Sequence, residues 1–342
     1  FAYGFYAEGV NFDRRSSVDG LRLDAEPYVS YPMRTASAFL IPTAKLRYTH
    51  YSLNNTAAGV SNGQDRLVPS LSVDSGLLFE RQAQLFGHSY VQTLEPRAFY
   101  LYKAFNDQTS LPIFDTSENT FSFAQLFRDD RFSGGDRVAD VHQVSLAITS
   151  RVLDPRGAEI ARASIGQIRH LRDRRVNLPG QVRQTDDSSD FVGELSARIS
   201  RAWTINAGMQ WNPHENRTDR TTVGVRYKPD AGTVVNASYR FIRDAVETSD
   251  ISFRYPLRHD IGVVGRWNYA LSDERTLEAV GGIEYNSCCW AVRAIARRFL
   301  SDTTGNYTNG VFLQLELKGL AGLGSNAEKF LQRSIPGYQN TF

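Results

Sequence analysis

Along much of the chain, apolar and polar residues alternate with a period of two. Val223, Val225 and Tyr227 interleave with Thr222, Gly224 and Arg226, and Val235, Ala237, Tyr239 and Phe241 with Asn236, Ser238 and Arg240. Ile251, Phe253, Tyr255 and Leu257 oppose Ser252, Arg254, Pro256 and Arg258, and the pattern returns at 261–269, 277–286 and 311–318. Successive side chains of a pleated strand point to opposite faces, so each run predicts an amphipathic strand. About sixteen such segments can be read, many near the roughly 9–11 residues that a tilted membrane strand needs. Tight links are expected at Trp203-Thr204, Asp230-Ala231-Gly232, Arg258-His259-Asp260 and Ser272-Asp273-Glu274-Arg275. Longer ones are expected at 54–65, 106–140, 173–189 and 301–307, with a short helix in the tail at 326–333.

A soluble sandwich also alternates, but three features favour a membrane wall. Tyr227, Tyr239, Phe241, Tyr255, Trp267 and Tyr269 close the apolar face, as aromatic girdles do at a lipid–water interface. The other face repeatedly carries Arg and Glu, which a sandwich core cannot bury unpaired. Long meanders with tight turns suit closure, which removes the strand edges that lipid cannot satisfy. The expected fold is all-β, a transmembrane antiparallel β-barrel with a wet lumen.

Composition then looks different. The mean hydropathy of −0.38 reads as soluble until lumen and loops are allowed for. No apolar run approaches the roughly 20 residues of a membrane helix. The 39 basic and 37 acidic residues nearly cancel, so no nucleic-acid partner is expected. Aromatics make up 12%, with 16 Tyr and 20 Phe against 2 Met, in line with the girdle reading. The chain opens without Met inside a patterned segment, Phe1-Ala2-Tyr3-Gly4-Phe5, as a fragment of a mature protein would.

Chemistry-bearing motifs are few. The six histidines are scattered and neither HExxH nor GxSxG occurs, so no enzyme, metal or cofactor is expected. Cys288-Cys289 is the sharpest local signal. Neighbours on a strand point apart, so a bond between them is strained. In an oxidising compartment each would take a partner outside the chain, while the blander reading is two small apolar residues at a strand end. The 106–140 connection contains apolar stretches able to fold back, with Phe127, Arg128, Asp129, Asp136 and Arg137 as cap residues and its charges paired within it. It reads either as a lid over the lumen or as a cap on the rim. Pro27, Pro32, Pro42, Pro69 and Pro96 each remove a ladder donor and mark bends.

Several runs resemble the LptD family of LPS-assembly proteins. They include Gln92-Thr93-Leu94-Glu95-Pro96-Arg97, the loop from Leu126-Phe127-Arg128-Asp129 to Gly135-Asp136-Arg137, and Ser164-Ile165-Gly166-Gln167-Ile168. Cys288-Cys289-Trp290, the run from Leu315 to Leu320 and the ending Tyr338-Gln339-Asn340-Thr341-Phe342 complete the set. The resemblance implies the C-terminal part of a 26-stranded outer-membrane barrel. It also implies that an N-terminal jelly roll and the first strands lie outside this chain, that 106–140 is an extracellular loop, and that 311–320 is the closing strand. Its implied function is insertion of lipopolysaccharide into the outer leaflet of a Gram-negative cell. Implied partners are an LptE-type plug lipoprotein, a periplasmic LPS bridge reached through the N-terminal domain, and outer-membrane lipids. Cys288 and Cys289 would bond to cysteines nearer the N-terminus. Arg226, Arg240, Arg254, Arg266 and Arg293 would face the lumen, meeting phosphorylated glycolipid or the plug, or simply pairing with Glu278, Glu284 and Glu316. A general diffusion porin is the alternative reading.

Overall fold

A computed structural model describes residues 1–85, 87–302 and 305–340. Thr341 and Phe342 of the family-like ending, and part of the 301–307 connection, lie outside these. The strands are β1 (Ala2–Phe12), β2 (Asp19–Ser30), β3 (Met33–Arg34), β4 (Ala38–Asn54), β5 (Gly63–Leu77), β6 (Phe79–Leu85) and β7 (His88–Lys103). Next come β8 (Ser117–Glu118), β9 (Phe132–Ser133), β10 (Val141–Leu153), β11 (Glu159–His170), β12 (Phe191–Arg198), β13 (Trp203–Asn212) and β14 (Arg217–Tyr227). The last are β15 (Val234–Ile242), β16 (Val246–Pro256), β17 (Ile261–Ala270), β18 (Arg275–Asn286), β19 (Trp290–Leu300), β20 (Tyr307–Leu317) and β21 (Ala321–Gly324). A helix, α1 (Ala327–Ser334), occupies the tail where one is expected. Nineteen strands share one antiparallel sheet, and β8 with β9 forms a separate ladder. The all-β antiparallel expectation holds.

Two boundaries differ from expectation. Trp203-Thr204 is not a link but the start of β13, because Trp203 pairs with Tyr227 and packs against its ring, tilted, at 4.7 Å. The 311–320 segment does not end the sheet. The chain turns at Gly319 (φ 78°), and β21 pairs back onto β20, Leu323 opposite Leu315.

The chain divides into two compact units, Phe1–Gly157 with Ser164–Gly193, and Ala158–Ala163 with Glu194–Phe342. In the second unit, consecutive strands from β13 to β21 pair as neighbours. Val223, Ile251, Tyr255, Trp267, Ile283, Val311 and Leu313 leave one face exposed and apolar. A surface of that kind needs lipid or a partner to cover it. Aromatics gather at both ends of these strands: Trp203, Tyr227, Tyr285 and Trp290 at one, Phe241, Tyr269, Phe299 and Tyr307 at the other. Asn216, Asp244 and Glu274 take left-handed φ of 48–56° in three successive hairpin turns, so one tight-turn geometry recurs at that end.

In the first unit, β1, β2, β4, β5, β7 and β10 pair in that order. Pro27 interrupts the β2–β4 ladder, in which Ala25 and Tyr28 have partners while Glu26 and Pro27 have none. One packing device appears in both units. The Phe39 ring lies over Gly76 and the Phe253 ring over Gly265, each so close that a Cβ would fall within 2.4–2.6 Å of it. Neither glycine can become alanine without moving that ring.

Each unit's core lies on the face whose strand pattern is polar, under a segment folded onto it. Val234, Val264, Val280 and Ile295 interrupt the polar series in the second unit and pack on Ala327, Leu331, Ile335 and Tyr338 of the tail. The first unit packs Tyr51 and Leu53 on Leu111, and Phe99, Leu101 and Val141 on Phe132 and Ala139. This face is therefore not uniformly wet.

Candidate functional site

The β7–β10 connection spans 104–140 and lies against the polar strand face. Its hub is Asp136, fully buried. Asp136 accepts from Arg22 Nη1 at 2.6 Å, from Tyr51 Oη at 3.2 Å, and from the backbone N–H groups of Phe114 and Asp115 at 2.7 and 2.8 Å. Arg22 also donates to both oxygens of Asp115 at 2.8 and 2.7 Å. That bond holds the Asp115 carboxyl well below the usual carboxylate range. Arg66 of β5, equally buried, donates to the carbonyls of Gly135 and Asp136 and to Gln108. Gly134 turns at φ 73° against Asp115, where a side chain would clash with the Asp115 backbone.

The expected cap residues divide. Phe127, in a short 3₁₀ turn (Phe123–Phe127), lies under the Arg97 guanidinium at 3.8 Å. Asp129 receives Lys45 Nζ at 2.5 Å. Arg137 is buried and donates to the carbonyls of Leu111, Pro112 and Asp136. Arg128 is exposed, and among the described residues its side chain has no hydrogen-bonded partner. The loop's charges pair with one another at Arg131 and Glu118, 3.6 Å apart. Asp129, Asp130 and Asp136 instead pair with Lys45, Lys103 and Arg22 on the strands, while Arg137 is spent on backbone carbonyls. Arg22, Arg66 and Tyr51, which hold the loop, were not singled out from the sequence. The usable signal at Arg22 was a charged residue between the leucines of Leu21-Arg22-Leu23; Arg66, in Asp65-Arg66-Leu67, carried none as clear.

In the second unit, four of the five arginines have partners. Arg226 bonds Asn236 at 3.0 Å. Arg254 bonds Glu284 at 2.7 Å, and Arg266 bonds Asp250 and Glu278, both at 2.8 Å. Arg293 lies between Glu284 at 3.3 Å and Glu316 at 2.7 Å, and reaches Asn340 at 3.0 Å. Tyr338 Oη donates to Glu284 at 2.5 Å, so the tail closes the same network. Arg240 is exposed, and among the described residues it has no ion pair. Glu278, Glu284 and Glu316 are among these partners, together with Asp250, Asn236 and Asn340.

Cys288 and Cys289 do not lie on a strand. They occupy the turn between β18 and β19, closed by Ser287 N donating to the Trp290 carbonyl at 2.9 Å. Both thiols are exposed and free, with their Sγ atoms 2.8 Å apart. Lys318, after β20, clamps the turn: its N–H donates to the Cys289 carbonyl at 3.0 Å and its Nζ to the Ser287 carbonyl at 2.5 Å. The thiol–thiol bond, with smaller help from Ser287 and Lys318, holds Cys288 below the usual thiol range, and the same bond pushes Cys289 above it.

The family model described as "LPS transport system D", LptD, matches residues 1–307. The LPS-assembly protein LptD of Nitrosococcus oceani is 43% identical over 341 residues, covering 99% of this chain and 46% of the relative. Its counterparts in Xylella fastidiosa and Aromatoleum aromaticum are 40% and 38% identical, covering 93% and 98% of this chain and 42% and 43% of theirs. The chain thus spans less than half the length of these curated relatives. Among solved structures, the ferric-catecholate import receptor Fiu from E. coli K12 overlaps 87% of this chain and 55% of its own at 8% identity and a TM-score of 0.30, a level that carries no assignment. On the family match, which takes in both covered strand faces and the cysteine turn, the chain belongs to the LptD family of outer-membrane β-barrel proteins.

Proposed function

We propose that this chain forms part of the wall of an outer-membrane lipopolysaccharide transporter, which inserts LPS into the outer leaflet. The match of the family model across residues 1–307 carries this reading. In it, an LptE-type lipoprotein sits in the lumen, and a periplasmic LPS bridge reaches the barrel through the N-terminal part of the whole protein. Outer-membrane lipids cover the apolar face of Val223, Ile251, Trp267 and Leu313. Loop 104–140 is extracellular, and Cys288 and Cys289 bond to cysteines outside this chain, for which two free thiols on an exposed turn are well placed. Arg240, exposed and without an ion pair among the described residues, is free to meet a phosphorylated ligand.

Purification of the full-length protein tests this. A lipoprotein should copurify in fixed ratio, and the barrel's gel migration should change when reductant is added. A barrel that purifies alone, passes small solutes and ignores reductant would instead be a diffusion porin. The folded-down loop 104–140 and the docked tail favour the transporter over an open pore.

A further inference from the structure

We propose that the cleft between segments 105–109 and 175–183 binds a phosphate group carried on a saccharide. The cleft, of about 440 Å³, falls within the roughly 300–1,000 Å³ of small-molecule sites. Its lining includes three arginines, Arg137, Arg175 and Arg183, against one carboxylate, Asp107. Asp107 is spent on its own loop, accepting from the backbone N–H and the hydroxyl of Thr109 at 3.0 and 2.9 Å. Arg137 carries the argument furthest. It is 4% exposed, its guanidinium donates to backbone carbonyls, and among the described residues it has no ion pair. A buried cation without an anion is costly. This one borders an open cleft, where an anion from outside can reach it.

The two exposed arginines add donors. Arg175 rests on the Phe105 ring, 3.6 Å from its centre, so it is held without spending an N–H. Among the described residues its side chain makes no hydrogen bond, and its ion-pair partner Asp140 is 3.8 Å away. Asp140 accepts instead from the backbone N–H groups of Arg175 and Val176, both at 2.9 Å, which fixes where this wall of the cleft begins. Arg183 pairs with Asp173 at 2.8 Å, both exposed, and such surface pairs contribute little. Asn177 and Gln181 are already engaged with Arg131 and Glu118, so the side-chain donors left to a ligand are guanidinium groups. Guanidinium forks match phosphate bidentately, which selects an anion over a neutral sugar. Leu178, Pro179 and Gly180 give the cleft an uncharged rim, which suits the C–H face of the sugar that bears the phosphate. The 175–183 segment follows β11 beside the start of β10, where the Leu171 N–H meets the His142 carbonyl at 2.7 Å, so the cleft lies at the same strand end as loop 104–140. That the phosphosaccharide is the headgroup of delivered LPS rests on the transporter reading above; the cleft's preference for phosphate does not.

The test is calorimetric titration of the purified full-length protein with three probes. They are the phosphorylated saccharide that alkali leaves when it strips LPS of its acyl chains, the same saccharide with its phosphates removed, and inorganic phosphate. The first should bind, and the other two should bind at least about tenfold more weakly, as loss of a charged hydrogen bond implies. Arg175→Gln and Arg183→Gln should each weaken binding of the first by a similar factor. Arg175→Lys, which keeps the charge and loses the fork, should weaken it by less. Arg128→Gln, at an exposed loop arginine that does not line the cleft, should change nothing. Equal binding of the dephosphorylated saccharide, equal weakening by Arg128→Gln, or unchanged binding in both cleft variants would overturn the proposal. Inorganic phosphate bound as tightly as the phosphosaccharide would overturn its saccharide half. Cleft binding by a barrel that purifies without a lipoprotein would uphold the site and sink the transporter reading. A barrel that keeps its lipoprotein and binds none of the three probes would do the reverse.

Discussion

The two units cover the polar faces of their strands by opposite means. In the first, the mid-chain loop 104–140 lies on buried arginines, and it does so as irregular backbone. Arg66 takes the carbonyls of Gly135 and Asp136, and Arg137 those of Leu111 and Pro112. A helix has no spare mid-chain carbonyls to offer. In the second unit, the covered positions include Val264, Val280 and Ile295, and there a helix suffices because its backbone is satisfied internally. Its contribution is Leu331 and Ile335 on the valines, with Phe330 stacked on Phe312 at 4.7 Å.

Breaking the hub of the first cover should have the largest effect. Asp136→Ala leaves Arg22 with only part of its compensation, and removing one partner of a buried pair costs about 3–5 kcal/mol. The readout is amide hydrogen exchange and trypsin cleavage within 104–140 in full-length protein, where opening should rise steeply while the tail stays closed. Leu331→Ala attacks the second cover. It empties a fully buried site and should cost about 2–4 kcal/mol, with exchange rising over 327–340 and the loop unaffected. If either variant opens both covers, the two are not independent. Tyr338→Phe removes a donor to the buried Glu284, a loss of about 1.5–3 kcal/mol for a charged acceptor, seen in the same tail amides.

Acid should weaken the first cover. Arg22 holds the Asp115 carboxyl below its usual range, so the Asp115–Arg22 bond contributes full stability above the unfolded carboxylate value of about 4. That contribution is lost only as pH falls through the lower folded value. Loop protection should stay level from pH 8 to 5 and weaken in stronger acid, as cleavage by an acid-active protease would report. The smallest effect is expected from Arg240→Ala, an exposed residue without an ion pair among the described residues, within about 0.5 kcal/mol. A large loss of stability there would mean that Arg240 is not a free surface residue.

Much of the strand framework was legible because alternation is local. Runs such as Val235–Phe241 and Ile251–Leu257 placed strands where β15 and β16 lie. The tail helix was legible for the same reason. What was not legible depends on residues distant in the chain: Arg22 meets Asp136 across 114 positions, and Lys228 reaches the Gly337 carbonyl across 109. No periodicity encodes such partners, so the loop's charges were expected to pair internally. At the cysteines the strand rule gives no guidance, because the backbone reverses there in a turn, and a shift of two or three positions in a strand end decides between strand and turn.

By itself, the sequence determined that this protein is an all-β wall with an apolar face and a charged one, and its motifs placed it in its family. Both follow from nearest neighbours and short runs, which the pleat converts directly into faces. Only the tertiary structure decided what covers the charged face, which acid each arginine meets, and that the two sulfurs point the same way. Those depend on loop closure over long stretches and on burial, where a charge must find a partner and the chain reaches it by folding back.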